Sequence, residues 1–348
     1  MYPKIVLKKE KERSVQRFHP WIFSGALQSF DANLKDGDLV EIQDFRNNFL
    51  CIGHFYHGSI AVKILSFVQE SVDQNFWNNK IKQAFLLRKT LGFIDNKNTN
   101  CFRLIHAEGD NCPGLIIDIY DTTAVIQCHS IGMHRSIQEI KNAIQNEVTF
   151  IDTENTYLLG HAEEIIAIEN GNKFLIDAEH GQKTGFFLDQ RDNRNLLTNY
   201  CKDKSILNTY CYSGGFSMYA LNNSAKEVVS IDSSKTAMEL VAKNVILNFG
   251  SSAINHHSIC DDVFHFFKIS DLNFDVIILD PPAFAKNISK RHNAVQAYKR
   301  LNAEGFKRIN KGGILFTFSC SQVVDKELFY STVMSAAIEA NRDVKVLH

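Results

Sequence analysis

The feature that most constrains this chain is a set of apolar, β-rich runs in its C-terminal half, each closed by polar residues at its carboxyl end. Val229-Ser-Ile-Asp232, Ile278-Leu-Asp-Pro-Pro-Ala-Phe284 and Phe316-Thr-Phe-Ser-Cys-Ser-Gln322 are three such closures. Segments with helical character separate the runs, and strands that alternate with helices pair in parallel because each helix returns the chain to the same starting edge. The polar closures therefore share one carboxyl edge, where open α/β sheets bind ligands. A carboxylate at one strand end, Asp-Pro-Pro at the next but one and a cysteine at the one after predict a cofactor pocket beside a nucleophile.

The sheet begins at Ser205-Ile-Leu-Asn-Thr-Tyr-Cys-Tyr212 and turns at Ser213-Gly214-Gly215 into a helix from Phe216 to Leu221. Glycines there let the backbone approach a ligand, and the helix N-terminus offers unpaired N–H groups. No G-x-G-x-x-G is present, so the dinucleotide fingerprint fails and a nicotinamide oxidoreductase is disfavoured. Asp232 ends the second strand, Glu227 to Asp232, at a distance from the glycine turn that suits a carboxylate holding a ribose diol. The plainer role for such an Asp is a helix cap. Lys235 to Asn248 reads as a helix and Ile254 to Cys260 as the third strand. Of Asp261 and Asp262, which follow, one is expected to cap the next helix and the other to accept from an adenine amino group. Phe274 to Asp280 is almost continuously apolar, as expected of a strand covered on both faces. Pro281 and Pro282 remove two donors and fix the backbone, holding Asp280 in one pose. Gly312 to Ser321 reads as the fifth strand, with Cys320 emerging one strand along from Asp280. A helix over Lys326 to Ala340 follows, and Asp343 to His348 look like the start of a sixth strand.

At 348 residues the chain calls for two or three domains, on a prior of roughly 100 to 200 residues each. Arg17-Phe-His-Pro-Trp-Ile-Phe-Ser-Gly25 places aromatics around a proline turn; Asp36 to Gln43, Phe49 to Phe55 and Ser59 to Leu65 then alternate as strands. This pattern, residues 1–72, resembles a PUA domain, a compact RNA-binding barrel, with Asp36-Gly37-Asp38 in a turn. A helix over Asn75 to Leu91 marks the boundary. Strands at Cys101 to Ala107, Leu115 to Ile119, Thr123 to Cys128, Glu164 to Glu169 and Asn172 to Ile176, with a helix over Arg135 to Gln145, give a central α+β domain, residues 73–194. Asn170-Gly171 is a hairpin signal. The domain ends in Gly181-Gln-Lys-Thr-Gly-Phe-Phe-Leu-Asp-Gln-Arg-Asp-Asn-Arg194, read either as a helix start capped by Asp192 or Asn193 or, better for its glycines and aromatics, as a loop folded over a ligand. Residues 195–348 carry the parallel sheet.

No run approaches the roughly 20 apolar residues that cross a membrane, and the N-terminus lacks a signal-peptide core, so a cytoplasmic protein is expected. Eight cysteines without a C-x-x-C pair argue for reduced thiols and against zinc. A formal net charge of −1 leaves any nucleic-acid signal to local patches. Lys4, Lys8, Lys9, Lys11, Arg13 and Arg17 face only Glu10 and Glu12, and Lys286, Lys290, Arg291, Lys299, Arg300, Lys307, Arg308 and Lys311 face only Glu304. Each patch is a solvated face or a phosphate contact.

A glycine turn, acids after the second and third strands and Asp-Pro-Pro after the fourth resemble a class I S-adenosylmethionine-dependent methyltransferase. Phe18-His-Pro-Trp-Ile-Phe-Ser-Gly25, Gly181 to Arg191, Asp280-Pro-Pro-Ala-Phe284 and Ser319-Cys-Ser321 together resemble the RlmI (YccW) family of PUA-containing cytosine-C5 methyltransferases of large-subunit ribosomal RNA. The resemblance implies an α/β fold: a Rossmann-like methyltransferase domain preceded by a small β-barrel PUA domain and a central α+β domain. It also implies a sixth and seventh strand hairpin that the sequence does not contain. Cys320 becomes the nucleophile and Asp280 the partner of the base edge. Gln190, Arg191, Tyr210, Tyr212, Ser213, Gly214, Phe216, Asp232, Ser233, Asp261, Asp262, Val263, Asp280 and Pro281 become the S-adenosylmethionine site. Lys8, Lys9, Arg17, Lys286, Lys290, Arg291 and Lys299 become the RNA contacts, with no metal, no membrane and a homodimer as the possible assembly. A guanine-N7 methyltransferase would share Asp-Pro-Pro without needing the cysteine, and a non-catalytic RNA-binding protein is the other alternative.

Overall fold

Alternating apolar residues decide the N-terminal sheet. β1 (Lys4–Leu7), β2 (Trp21–Phe23), β3 (Leu27–Ser29), β4 (Leu39–Gln43), β5 (Phe49–Phe55) and β6 (Ile60–Ser66) join in the order β2-β6-β5-β4-β1-β3, with a short α1 (Arg13–Gln16) before β2. The computed structural model describes residues 2–148, 156–157, 165–178, 181–250 and 255–348, with backbone alone at 156–157. Ile5, Leu7, Val40, Ile42, Phe55, Val62 and Ile64 point into one core, each such buried side chain contributing about 1.5–3 kcal/mol. The β4–β5 turn is set locally: Asp44 accepts from the amides of Arg46 and Asn48 at 2.8 and 2.9 Å, while Asn47 takes the left-handed conformation an Asn tolerates. Gly37 of Asp36-Gly-Asp38 sits in a turn at φ +86°.

Two groupings of Cα positions divide the chain, Met1–Ile168 with Ile176–Leu188 and Glu169–Leu175 with Asp189–His348. The first also holds α2 (Gln74–Thr90), β7 (Cys101–His106), β8 (Leu115–Tyr120), β9 (Thr123–Cys128), α3 (Ile131–Arg135), α4 (Ile137–Glu147) and the short β10 (Thr156–Tyr157). Asp73 starts α2 by accepting from the amides of Asn75 and Phe76. Phe76, Trp77 and Ile81 of α2 and Ile140 and Ile144 of α4 bury against Leu104, Ile117 and Ile119 of the strands. The helix expected over Arg135 to Gln145 is α4, which begins at Ile137 because the backbone leaves helical geometry at Ser136, φ −90° and ψ 12°. β11 (Ile165–Glu169) and β12 (Asn172–Ile176) form the hairpin signalled by Asn170-Gly171, both residues at positive φ. Its expected start at Glu164 lies outside the described residues, as does Ile254 of the third parallel strand.

The second grouping contains α5 (Arg191–Leu197), β13 (Ser205–Thr209), α6 (Gly215–Asn222), β14 (Glu227–Asp232), α7 (Lys235–Phe249), β15 (His256–Cys260), α8 (Val263–Ile269), β16 (Phe274–Leu279), α9 (Arg291–Arg308), β17 (Ile309–Thr317) and α10 (Lys326–Glu339). Its sheet runs β15-β14-β13-β16-β17, every pair parallel. The period of two explains the apolar runs. Leu207, Val229, Ile231, Ile277 and Leu279 meet Phe266, Phe267 and Leu301 of α8 and α9 on one face. Ile206, Val228, Val276 and Ile278 meet Leu197 of α5 and Phe216 and Ala220 of α6 on the other. The chain departs from β13 in both directions, to β14 and to β16, so β13 marks the switch point where such sheets open a crevice. Asp343 to His348, expected to begin a sixth strand, pair with no described strand and stay irregular. Among the described residues no helix is long and apolar enough to cross a membrane.

Candidate active site at the carboxyl edge of the parallel sheet

After β13 the backbone enters an unusual turn. Tyr210, Tyr212 and Gly214 take φ of +53°, +47° and +77°, and two tyrosines in the left-handed region are conformations that persist only when the surroundings enforce them. The enforcement is visible. Asp232, ending β14, accepts from the Tyr212 amide at 3.0 Å and from the Ser234 amide at 2.9 Å, and the Gly214 amide donates to Cys211 O at 2.7 Å. A Cβ on Gly214 would stand 3.3 Å from Val241 Cγ2, so the turn needs glycine for φ and has little room besides. Phe216 is buried in the first turn of α6 beyond Ser213 and Gly215. Burial, with the charges of Asp262 and Asp232 adding, raises the Tyr210 phenol well above its ordinary value.

Asp232 pairs in register with Cys260 of β15, and Ser233 O lies 3.8 Å from Cys260 Sγ. Asp261 and Asp262 follow. Asp262 is the cap: it accepts from the His265 amide at 3.0 Å and starts α8 at Val263. Asp261 accepts from the Asp262 amide at 2.8 Å and meets the His265 ring at 2.7 Å; the His265 hydrogen bond leads the causes that lower its carboxyl below the usual range. The three acids thus lie on successive tips of one edge.

On the other side of the switch point, β16 ends at Leu279 opposite Thr317 of β17. Asp280 and Cys320 therefore leave neighbouring strands. Cys320 is exposed, and its Sγ is 3.6 Å from Pro281 O. The fifth strand ends at Thr317, so Ser319-Cys-Ser321, expected inside it, lies beyond it in an irregular stretch that enters a turn at Ser321, whose O accepts from the Val324 amide at 3.0 Å. Ser321 fixes that turn: it is 3% exposed, its Oγ lies 3.0 Å from the buried Tyr298 hydroxyl, and the Ala285 amide donates to it at 3.4 Å. One buried hydroxyl thereby ties the cysteine turn to the Asp-Pro-Pro-Ala loop. Of the eight cysteines only Cys260 and Cys320 are exposed. Burial pushes the Cys112 and Cys201 thiols up to about 12.

Gln190 and Arg191 open α5. Gln190 Nε2 donates to Asp280 Oδ2 at 3.2 Å. Arg191 donates to Glu169 at 3.2 Å. Neither Asp192 nor Asn193 caps the helix, since the N-cap position is Gln190 and both fall in the first turn; Asn193 instead donates to Gln190 Oε1 at 2.6 Å. Glu169, which sequence reasoning passed over as a strand residue, is fully buried and accepts from Arg194 Nε and Nη2 at 2.7 and 2.9 Å and from the Tyr219 hydroxyl at 3.0 Å. Its position beside Asn170-Gly171 gave no signal, because its partners lie 22 to 50 residues away. In the glycine-rich segment before α5, buried Thr184 donates to Asp118 at 2.5 Å and meets the Tyr120 hydroxyl at 2.8 Å.

The basic residues divide. Lys9, Arg17, Lys286 and Lys290 are exposed, and Lys8 donates to Gly25 O at 3.0 Å. Arg291 and Lys299 are ion-paired with Asp325 and Glu339, at 3.2 and 2.9 Å. Those acids flank or lie in α10, so the run that faces one acid in sequence faces three in space.

A parallel sheet ordered about a switch point, a glycine turn and acidic strand tips define a methyltransferase of the S-adenosylmethionine-dependent class, and the model of that family matches residues 122–337, with a PUA-like domain matched at 5–67. Curated relatives named ribosomal RNA large subunit methyltransferase I align along the whole chain: 34% identity with that of Alteromonas mediterranea, over 100% of this chain and 92% of the relative, and 36% with that of Tolumonas auensis, over 99% and 92%. The chain belongs to the ribosomal RNA large subunit methyltransferase I family. Among solved structures, a methyltransferase complexed with S-adenosylhomocysteine superposes with a TM-score of 0.80 at 22% identity, over 96% of this chain and 90% of that one. A methyltransferase from Agrobacterium tumefaciens superposes with a TM-score of 0.51 at 16% identity, over 70% and 79%. The donor set fits S-adenosylmethionine, the cofactor of the class: the glycine turn leaves backbone at the start of α6 open to close approach, and carboxylates stand on the next two strand tips.

Proposed function

We propose that this S-adenosylmethionine-dependent methyltransferase modifies C5 of a cytosine in large-subunit ribosomal RNA through a covalent adduct with Cys320. The observation that carries the reading is the exposed Cys320 thiol against Pro281 O, on the strand tip next to Asp280. Cytosine C5 is a weak nucleophile. The Cys320 thiolate adds to C6, its electron pair forming the S–C6 bond while the π pair of the C5–C6 double bond shifts toward C5, leaving a C4–C5 enamine in which C5 is nucleophilic. Asp280 hydrogen-bonds the N3/N4 edge of the base, accepting from the N4 amino group and sharing a proton with N3 that offsets the negative charge gathering there during addition. Once C5 carries its new methyl group, loss of the C5 proton restores the double bond and expels the thiolate. Bound S-adenosylmethionine supplies the electrophilic methyl group. Asp232 would hold its ribose; Asp261 or Asp262, with Val263, its adenine; and Tyr210, Tyr212, Ser213, Gly214, Phe216, Ser233 and Pro281 would line the remainder.

The target base enters unstacked or from a single strand, with Lys8, Lys9, Arg17, Lys286 and Lys290 on the phosphates and Arg291 and Lys299 available after exchange of their carboxylate partners. A cytoplasmic site of action fits an RNA substrate. The test is Cys320→Ala with ribosomal RNA from cells lacking the protein and cofactor labelled in the methyl group. Loss of transfer by at least 1,000-fold is expected, on the order of removing a covalent nucleophile. Full methylation by the variant would leave a base such as guanine N7, which needs no thiol, and would end the cytosine assignment.

A further inference from the structure

Asp280 has a partner outside the Asp-Pro-Pro loop. Gln190 Nε2 donates to its Oδ2 at 3.2 Å, and Asn193 Nδ2 donates to Gln190 Oε1 at 2.6 Å. A carboxamide has one donor end and one acceptor end. Because Asn193 occupies the acceptor end with a donor, the amide is turned with its NH2 toward Asp280, the only orientation that satisfies both contacts. Pro281 and Pro282 fix Asp280 from the main chain; Gln190 fixes its carboxylate from the side.

Gln190 can do this only if α5 is held still, and seven residues of helix are not stable by themselves. The anchor is Glu169. It is fully buried and binds Arg194 through two nitrogens at 2.7 and 2.9 Å and Arg191 at 3.2 Å, with Tyr219 adding its hydroxyl at 3.0 Å. Arg194 also packs on the glycine turn, its Cδ lying 3.1 Å from where a Cβ of Gly215 would stand. One ion-paired helix thus carries Gln190 to Asp280 and braces the turn that precedes α6.

We infer that Gln190 is a positioning residue for Asp280, oriented by Asn193 and anchored through α5 to Glu169, and that it serves handling of the target base rather than cofactor affinity. This rests on Asp280 acting at the base edge, as proposed above. The two roles for Gln190 separate in kinetics. An Asp280 held by a fixed N–H meets the base in one pose, so losing the donor costs turnover with cofactor already bound; a cofactor contact would cost affinity for the cofactor.

The experiment uses the full chain, ribosomal RNA from cells lacking the protein, and calorimetry with S-adenosylhomocysteine. Gln190→Ala should lower kcat about 10- to 100-fold, the range for one hydrogen bond to a charged group, and leave the S-adenosylhomocysteine Kd within about twofold. Asn193→Ala should move kcat in the same direction by a smaller factor, and serves alone should Gln190→Ala fail to fold. A weakened Kd at unchanged saturating kcat, or no change in either, would overturn the inference. Asp280→Asn run alongside distinguishes the failures: if it retains full kcat, the role of Asp280 itself is wrong; if it is inactive while Gln190→Ala is normal, only the positioning role falls.

Discussion

Replacing Glu169 by Gln keeps the shape of the side chain and removes its charge. The carboxylate is fully buried and holds two guanidinium groups whose own side chains are 13% and 3% exposed. Without it, Arg191 and Arg194 keep their two positive charges while the carboxylate they share is gone, and an amide NH2 points at donors. Breaking a buried pair from one side costs about 3–5 kcal/mol, mostly the penalty of the charge left behind. At about 2–4 °C per kcal/mol for a body of this size, the melting temperature should fall by about 6–20 °C. Tyr219→Phe removes one neutral donor from the same carboxylate and should cost about 1 kcal/mol. Adding Arg194→Met to Glu169→Gln removes a stranded charge, so the pair should cost less than the sum of its single changes. Differential scanning calorimetry at pH 7 reads the parent, the three single variants and the double variant. A Glu169→Gln protein melting within 2 °C of the parent would refute the reasoning, since it would mean the carboxylate is not what neutralises these arginines.

Two further outcomes follow from the site and from the N-terminal sheet. Asp232→Ala should weaken S-adenosylhomocysteine binding about 10- to 100-fold, by loss of a charged acceptor for the ribose and of the hold on Tyr212; calorimetry giving an unchanged Kd would remove Asp232 from the cofactor site. His54 is 2% exposed, and burial, with Arg135 and Lys63 adding, pushes its imidazole down to about 4 from 6.5. The folded chain therefore keeps His54 neutral while the unfolded chain binds a proton below about pH 6.5, so stability is full above that pH and lost as pH falls toward 4. At pH 5 the loss is about 2 kcal/mol. Urea unfolding at pH 7 and pH 5 should show this difference shrink in His54→Gln; an unchanged difference would assign it to other groups.

How much of the site was legible in the sequence depends on how local each signal is. Asp232, Asp280 and Cys320 could be placed on one edge because strand period, helical spacers and polar closures are all written within a few residues of each other. The adjacency of the fourth and fifth strands, and hence of Asp280 and the cysteine turn, came with them. The strand's end was misplaced: Ser319-Cys-Ser321, read as the last residues of the fifth strand, falls beyond β17, where Ser321 is held by Tyr298 and Ala285, neither of which is near it in sequence.

What the amino-acid order determined alone is the alternation that makes β16 bury Ile277 and Leu279 against one helix layer and Val276 and Ile278 against the other, together with the glycine turn and the breaks that Pro281 and Pro282 impose. What only the tertiary structure decided is which charged side chains meet. Glu169 finds Arg194, Arg291 and Lys299 lose much of their apparent excess charge to Asp325 and Glu339, and Gln190 reaches Asp280 across 90 residues. Hydrophobic periodicity is fixed by backbone geometry and so survives in any short window. A polar partner is chosen by how distant elements dock, and burial then enforces the choice because an unpaired charge there is costly.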